Sequence, residues 1–302
     1  MANRKENQSF SVALPVHAGQ LAYRLNLEEH KIMLTKTTKS KEVLKAKILA
    51  VTDLENKLKD TMYEIYEKYY GGTSEALFQE DLQNKNFCIL IFNQSEQLVG
   101  FSSLLIFTAA LKGESFGIVY SGDTIIKHEY WGSNILIKAW LGLTGKIYRQ
   151  MNTIPWFWLL LVKGHRTYRY LNLFFKEFYP RPEAFIPRGW KEKRDLITKM
   201  KFGQCFDEKR GIIKFPETKG FLKEEWAGLN QKTKNHPEAN FFQSQNPGFG
   251  EGDELVCFCE ISEKNFKKRA LVLFKDEFYN EILHQASWNR LLKELEIPKI
   301  NL

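Results

Sequence analysis

The stretch that most constrains this chain runs from Phe116 to Trp140, FGIVYSGDTIIKHEYWGSNILIKAW. It reads as a strand interrupted by Gly122 and Asp123, a short loop holding Gly132, and an amphipathic helix. A loop that opens a helix leaves backbone N–H groups without intrahelical acceptors, a ready site for phosphate. The glycine within the strand marks a place where a ligand or another backbone can approach closely. If the chain is an enzyme, its site is expected here.

The neighbouring segments set this unit in order. Thr52-Asp-Leu-Glu55 has the spacing of a capping box, and Leu54, Leu58, Met62, Ile65 and Tyr69 then recur on one helical face up to Gly71-Gly72. A second short helix is expected over Glu75 to Gln83. Strands are expected at Phe87 to Phe92, Leu98 to Phe107 and Phe116 to Lys127, with a turn at Gln94 to Gln97. A helix over Asn134 to Arg149 places Ile135, Ala139, Leu143 and Ile147 on one face. PWFWLLLV, Pro155 to Val162, reads as a buried strand, and Thr167 to Phe178 as an aromatic helix. A basic helix at Arg188 to Met200, strands at Gly211 to Phe215 and Leu255 to Glu260, and a helix over Glu277 to Leu295 follow. Gly228 to Gly252 reads as a long polar loop. Hairpin-like links followed by a helix between strands three and four give an α+β or mixed α/β layout with a parallel crossover.

With 302 residues, 43% hydrophobic and 26% charged, the chain has the balance of a globular protein and not of a disordered one. Its net charge of +8 is concentrated: Leu161 to Lys201 carries eleven Lys/Arg against four acids. Such a segment suits an anionic cofactor, nucleic acid, a membrane surface, or simply a solvated face. The four cysteines lack zinc-type spacing, so no disulfide framework or metal site is expected; Cys257 and Cys259 would share a strand face. MANRKENQSFS has no apolar run of the signal-peptide kind, and Trp156 to Val162 is too short to span a bilayer. A cytoplasmic location is the expectation.

Over residues 45 to 185 the order of elements resembles the GNAT acyltransferase superfamily. In that family two helices precede an antiparallel three-strand meander, whose third strand enters a pyrophosphate loop and helix before a further strand and helix. Leu98-Val99-Gly100-Phe101 looks like the start of one meander strand, and Glu129-Tyr130-Trp131-Gly132 like the entry to the loop. The resemblance implies a GNAT-like central mixed sheet flanked by helices, acyl transfer to an amine or hydroxyl, and acyl-CoA or acyl-phosphopantetheine as donor. It also places Trp131, Asn134 and Leu136 where the loop's Gln or Arg and its glycines usually stand. Asn134 and Leu136 are therefore expected to narrow or reshape the loop. Phe174 falls where a tyrosine often protonates the leaving thiolate.

Acyl transfer to an amine needs a base, a donor to the carbonyl oxygen and an acid for the thiolate. Asp123 is the first candidate base, acting directly or through water; it could equally cap a bulge beside Gly122. Strand alternation places it on the face of Ser121, opposite Tyr120. His128, titrating near neutrality, is a second candidate, and His165 a further one. Tyr168 and Tyr170 are the nearest hydroxyls to Phe174. Lys127, Trp131, Gly132, Ser133 and Asn134 are the candidate donor-binding residues, although Ser and Asn are also ordinary helix caps. Asn246-Pro-Gly-Phe-Gly-Glu-Gly-Asp253 is either a lid or a connector. The partners implied are a small-molecule acceptor and an acyl carrier protein. A non-catalytic binding protein on the same fold, or a basic nucleic-acid or membrane-surface module, are the alternatives. The expected organisation is an arm over 1–45, an acyltransferase core over 46–195 and an extension over 196–302.

Overall fold

The run Trp156–Val162 is buried along its whole length. Trp156, Trp158, Leu160 and Val162 face one core, while Phe157, Leu159 and Leu161 face another. A strand apolar on both faces needs helices on both sides and strands on both edges, and this one has them. The computed structural model describes residues 42–216, 219–227, 236–276 and 285–295. Among these, one sheet holds β1 (Lys45–Ala50), β2 (Phe87–Phe92), β3 (Leu98–Leu111), β4 (Glu114–Ile126), β5 (Trp156–Val162), β6 (Phe206–Asp207), β7 (Ile212–Ile213) and β8 (Glu254–Ile261), in the order β1-β2-β3-β4-β5-β8-β7-β6. The β4–β5 pair is parallel and every other neighbour antiparallel.

The helices of eight residues or more are α1 (Asn56–Tyr69), α2 (Glu75–Gln83), α3 (Ile135–Gln150), α4 (His165–Phe174), α5 (Arg188–Phe202), α6 (Pro237–Gln245), α7 (Lys268–Lys275) and α8 (Gln285–Leu295). On one sheet face, α3 packs its buried Trp140, Leu143 and Ile147 with Phe274 of α7 and Trp288 of α8. The opposite face carries two separate cores. Met62, Ile65 and Phe78 of α1 and α2 lie over β2 and β3, whereas Ile197 of α5 lies over the strands around β5. A gap between those two cores lies over the C-terminal half of β4. This mixed sheet flanked by helices has the element order that the GNAT resemblance implies.

The meander strands, α2 and β5 lie within a few residues of their expected bounds. The capping box does not form. Residues Val51–Asp53 make a 3-10 turn, and the residue before α1 is Glu55, with no side-chain cap. The reason lies far along the chain: α8 claims those side chains, Ser287 donating to Asp53 at 2.7 Å and Arg290 bonding both Thr52 and Asp53. The aromatic helix ends at Phe174, not Phe178, because the backbones of Phe175 and Tyr179 are taken up by bridges to Phe266 and Phe258.

Within the expected loop Gly228 to Gly252, α6 and a 3-10 turn at Phe249–Glu251 form, while residues 228–235 lie outside the described residues, as do 277–284 of the expected C-terminal helix. Of the expected arm over 1–45, residues 1–41 likewise lie outside them. The expected boundary at residue 195/196 runs through α5, and strand β8 from the supposed extension pairs with β5 over seven residues. Cys257 and Cys259 share one face, as the spacing predicts.

Candidate active site

Parallel pairing of β4 with β5 runs from Gly117–Trp156 to Ser121–Leu160 and stops. Strand β4 continues to Ile126, so among the described residues Thr124 to Ile126 have a ladder partner only on the β3 side and Gly122 and Asp123 have none. The carboxyl ends of the two strands thus diverge into a crevice, the place where open sheets with parallel strands take ligands. The crevice opens into a cavity of about 950 Å³ between α1–α2 and α5.

A β-bulge aims Asp123 into it. Between the pairs Leu104–Ser121 and Ser102–Thr124, two residues of β4, Gly122 and Asp123, oppose the single residue Ser103. The extra residue breaks alternation. Ser121 is buried on the α3 side and accepts a hydrogen bond from Trp158 Nε1 at 2.9 Å. Asp123 instead lines the cavity alongside Tyr120. This corrects the face predicted by strict alternation, and the bulge is the physical reason. Gly122 leaves room for two side chains: a Cβ there would lie 2.7 Å from Lys85 Cε and 2.8 Å from Ser103 Oγ, so both would have to shift.

Two ion pairs border the carboxylate. Lys85, whose side chain is 1% exposed, meets Asp81 at 2.5 Å, and Lys163 meets Glu254 at 3.1 Å. Asp123 has no hydrogen bond or ion pair with any described side chain. Burial, reinforced by the Asp81 carboxylate and opposed by Lys163 and Lys85, pushes its carboxyl up to about 7. Burial works against the charge of Lys163, but Glu254 and Asp123 outweigh it and hold that ammonium above its usual range. Across the cavity, burial and the nearby Lys85 bring Lys201 of α5 down to about 8.

The loop before α3 lies at the other end. Gly132 has φ +94°, which glycine adopts without strain. The Ser133 hydroxyl accepts from the N–H of Ile135 at 3.3 Å, while the Asn134 side chain makes no cap. Gly132, Ser133 and Asn134 all line the cavity. Leu136 does not narrow the loop as expected, because its side chain is buried in the core beneath α3. Trp131 also lines the cavity; its indole donates to the Ile126 carbonyl at 2.8 Å, and the Arg166 guanidinium stacks on it at 4.4 Å. Arg169, one turn further along α4, lines the same wall.

The remaining candidates divide. Tyr170 lines the cavity, and burial raises its hydroxyl above the usual tyrosine range. Tyr168 is 1% exposed and away from the cavity, its hydroxyl donating to the Pro180 carbonyl at 2.7 Å. His128 is exposed in the turn after β4, facing Glu129 at 3.3 Å and Trp226, and does not line the cavity. Neither does Lys127. His165 is buried at the start of α4. The glycine segment 246–253 is held by Asn246 donating to the Asp253 carbonyl; none of its residues lines the cavity, although Glu254, which follows it at the start of β8, does.

Asp81, Lys85, Glu254 and the inward turn of Lys201 were not singled out by sequence. The four-residue spacing of Asp81 and Lys85 was a visible signal for a pair, but not for its burial. The basic segment forms no single face: Arg194 is buried against Asp195, Arg188, Lys191 and Lys199 pair with carboxylates, and Lys163, Arg166, Arg169 and Lys201 turn to the cavity. Among the described residues no three His, Cys, Asp or Glu side chains converge as metal ligands, and no helix is long and apolar enough to cross a membrane.

No family model and no curated protein sequence matches the chain. Solved structures do match part of it. A conserved Enterococcus faecalis V583 protein of unknown function, described as a probable N-acyltransferase, is 15% identical over 45% of this chain and 33% of its own, with a TM-score of 0.34. A GNAT family N-acetyltransferase of Escherichia coli in complex with CoA is 11% identical over 44% of this chain and 68% of its own, TM-score 0.31. A Trypanosoma brucei acetyltransferase is 18% identical over 48% of this chain and its full length, TM-score 0.32. The chain thus spans a third of the first of these proteins. All are distant likenesses of less than half of the chain, and the strand order above stands independently of them.

Proposed function

We propose that this chain transfers an acyl group from a thioester donor, acyl-CoA or acyl-phosphopantetheine on a carrier protein, to an amine or hydroxyl of a small acceptor. The observation that carries this reading is a carboxylate without a partner among the described residues, set by a bulge at the point where two parallel strands diverge. The unpaired edge of β4 suits the amide groups of a phosphopantetheine arm, which it can pair as a strand would. Gly132 to Asn134, at the positive end of α3, together with Arg166 and Arg169, suit the donor's phosphates.

In this reading Asp123 takes the proton of the acceptor amine, directly or through one water, as nitrogen bonds to the thioester carbon. Its elevated proton affinity matches a base working near neutral pH. Backbone N–H groups on the free edge of β4 would steady the carbonyl oxygen. As the carbon–sulfur bond breaks, the Tyr170 hydroxyl, kept protonated by burial, gives its proton to the departing thiolate.

Release of free thiol from acyl-CoA, followed with a panel of amines, tests the reading. Thiol release that requires an amine and falls about 100-fold or more in Asp123→Asn is expected from loss of a general base. Stabilisation by donor without thiol release from any of them would instead favour a non-catalytic binding protein. The Trp131 indole occupying the Ile126 carbonyl is the observation that keeps that reading in play.

A further inference from the structure

The charges around the inner end of the cavity do not cancel locally. Asp81 is taken by Lys85 and Glu254 by Lys163. That leaves Asp123 on β4 and Lys201 on α5 facing the same space, neither with an opposite charge within ion-pair distance among the described residues. Both lysine ammoniums converge on one ring: Lys201 Nζ is 5.2 Å and Lys85 Nζ 5.4 Å from the centre of Tyr120. The aromatic face partly offsets their repulsion, but Lys201, with no carboxylate at ion-pair distance, still favours an anion beside it. Arg166 stacks on Trp131 in the loop before α3, so the Lys85–Lys201 pair around Tyr120 is separate from that group, which suits the donor's phosphates.

We infer that the acceptor is a small amine carrying its own anionic group, a carboxylate or a phosphate, with the amine toward Asp123 and the anion between Lys201 and Lys85. The inference rests on the acyl-transfer reading for its amine end. Its anion end rests on the cavity alone. Lys85 passes beside Gly122, whose Cβ position would lie 3.3 Å from its Nζ, so the anion end of the cavity adjoins Asp123. A compact amino acid or amino-phosphate skeleton therefore reaches both groups. A neutral amine would leave the Lys201 ammonium uncompensated.

Matched probes separate the anion from the amine: β-alanine against β-alaninamide for a carboxylate, and phosphoethanolamine against ethanolamine for a phosphate. Each is read both by thermal shift and by thiol release with acyl-CoA. The anionic member of at least one pair should have a KM at least about tenfold lower, the scale of a charge-assisted hydrogen bond, and should raise Tm where its neutral partner does not. Lys201→Gln should reduce that preference to less than twofold, while Lys201→Arg, which keeps the charge, should retain most of it. Which pair responds tells carboxylate from phosphate. Equal behaviour of anionic and neutral members in both assays would overturn the inference, as would a preference that survives Lys201→Gln. Binding that depends on both the anion and Lys201, with no thiol release, would uphold this ligand class and overturn acyl transfer.

Discussion

Asp123 carries opposite consequences for stability and for chemistry, and both are measurable. Its folded-state proton affinity, about 7 against an ordinary 3.8, lies above the unfolded value. Between about pH 4 and 7 the folded chain therefore keeps a proton that the unfolded chain has lost, and stability declines as pH rises through that window. Above pH 7 a constant penalty remains. Asp123→Asn should accordingly raise Tm at pH 8, by on the order of 1 to 3 kcal/mol of stability, and leave it nearly unchanged at pH 4. The same carboxyl should give kcat/KM an acid limb that falls tenfold per pH unit below about 7. A residue that only braces a bulge would give the first effect and not the second. The two tyrosines separate in the same way. Tyr168→Phe strands the buried Pro180 carbonyl and should cost about 1 to 3 kcal/mol, seen in denaturant midpoints. Tyr170→Phe should lower kcat with little change in stability.

At the level of elements, α3 sits against α7 with no room for a side chain at Gly145. A Cβ there would lie 2.0 Å from the Phe274 carbonyl oxygen. Gly145→Ala should therefore cost about 1 to 3 kcal/mol through overpacking, measurable as a lowered Tm, despite alanine's better helix propensity. Elements of this kind were legible where a local pattern decides them. The apolar run of β5 and the period of α3 describe residues that meet a core whatever their partners. What sequence could not carry is what distant segments impose. Thr52 and Asp53 had the spacing of a cap, yet α8 takes them across more than 230 residues. Strand β1, with its short alternating run KAKILA, has meaning only beside β2. The bulge at Gly122–Asp123 was foreseen as a possibility, but the face on which it leaves Asp123 follows from the register with β3. Likewise, the inward turn of Lys201 is set by where α5 packs, not by the basic segment around it.

For the molecule as a whole, the second half of the chain is part of the first half's sheet. Strand β8 covers the edge of β5 and leaves that strand buried on both faces. A fragment ending at residue 195 would expose the WFWLLLV edge and should be insoluble or aggregate, as sedimentation or size exclusion would reveal; a soluble monomeric fragment would show that the core stands without it. The wall of the cavity is shared in the same way, Glu254 of β8 pairing with Lys163 at the end of β5. The claim on which the functional account depends is that the diverging strands β4 and β5 take a thioester donor. Thermal shift with CoA, short- and long-chain acyl-CoA and free pantetheine tests it most directly. A donor at about 100 times its Kd adds about 2.7 kcal/mol, so the account predicts a Tm rise of several degrees with at least one of these compounds. No shift with any of them at millimolar concentration would contradict it.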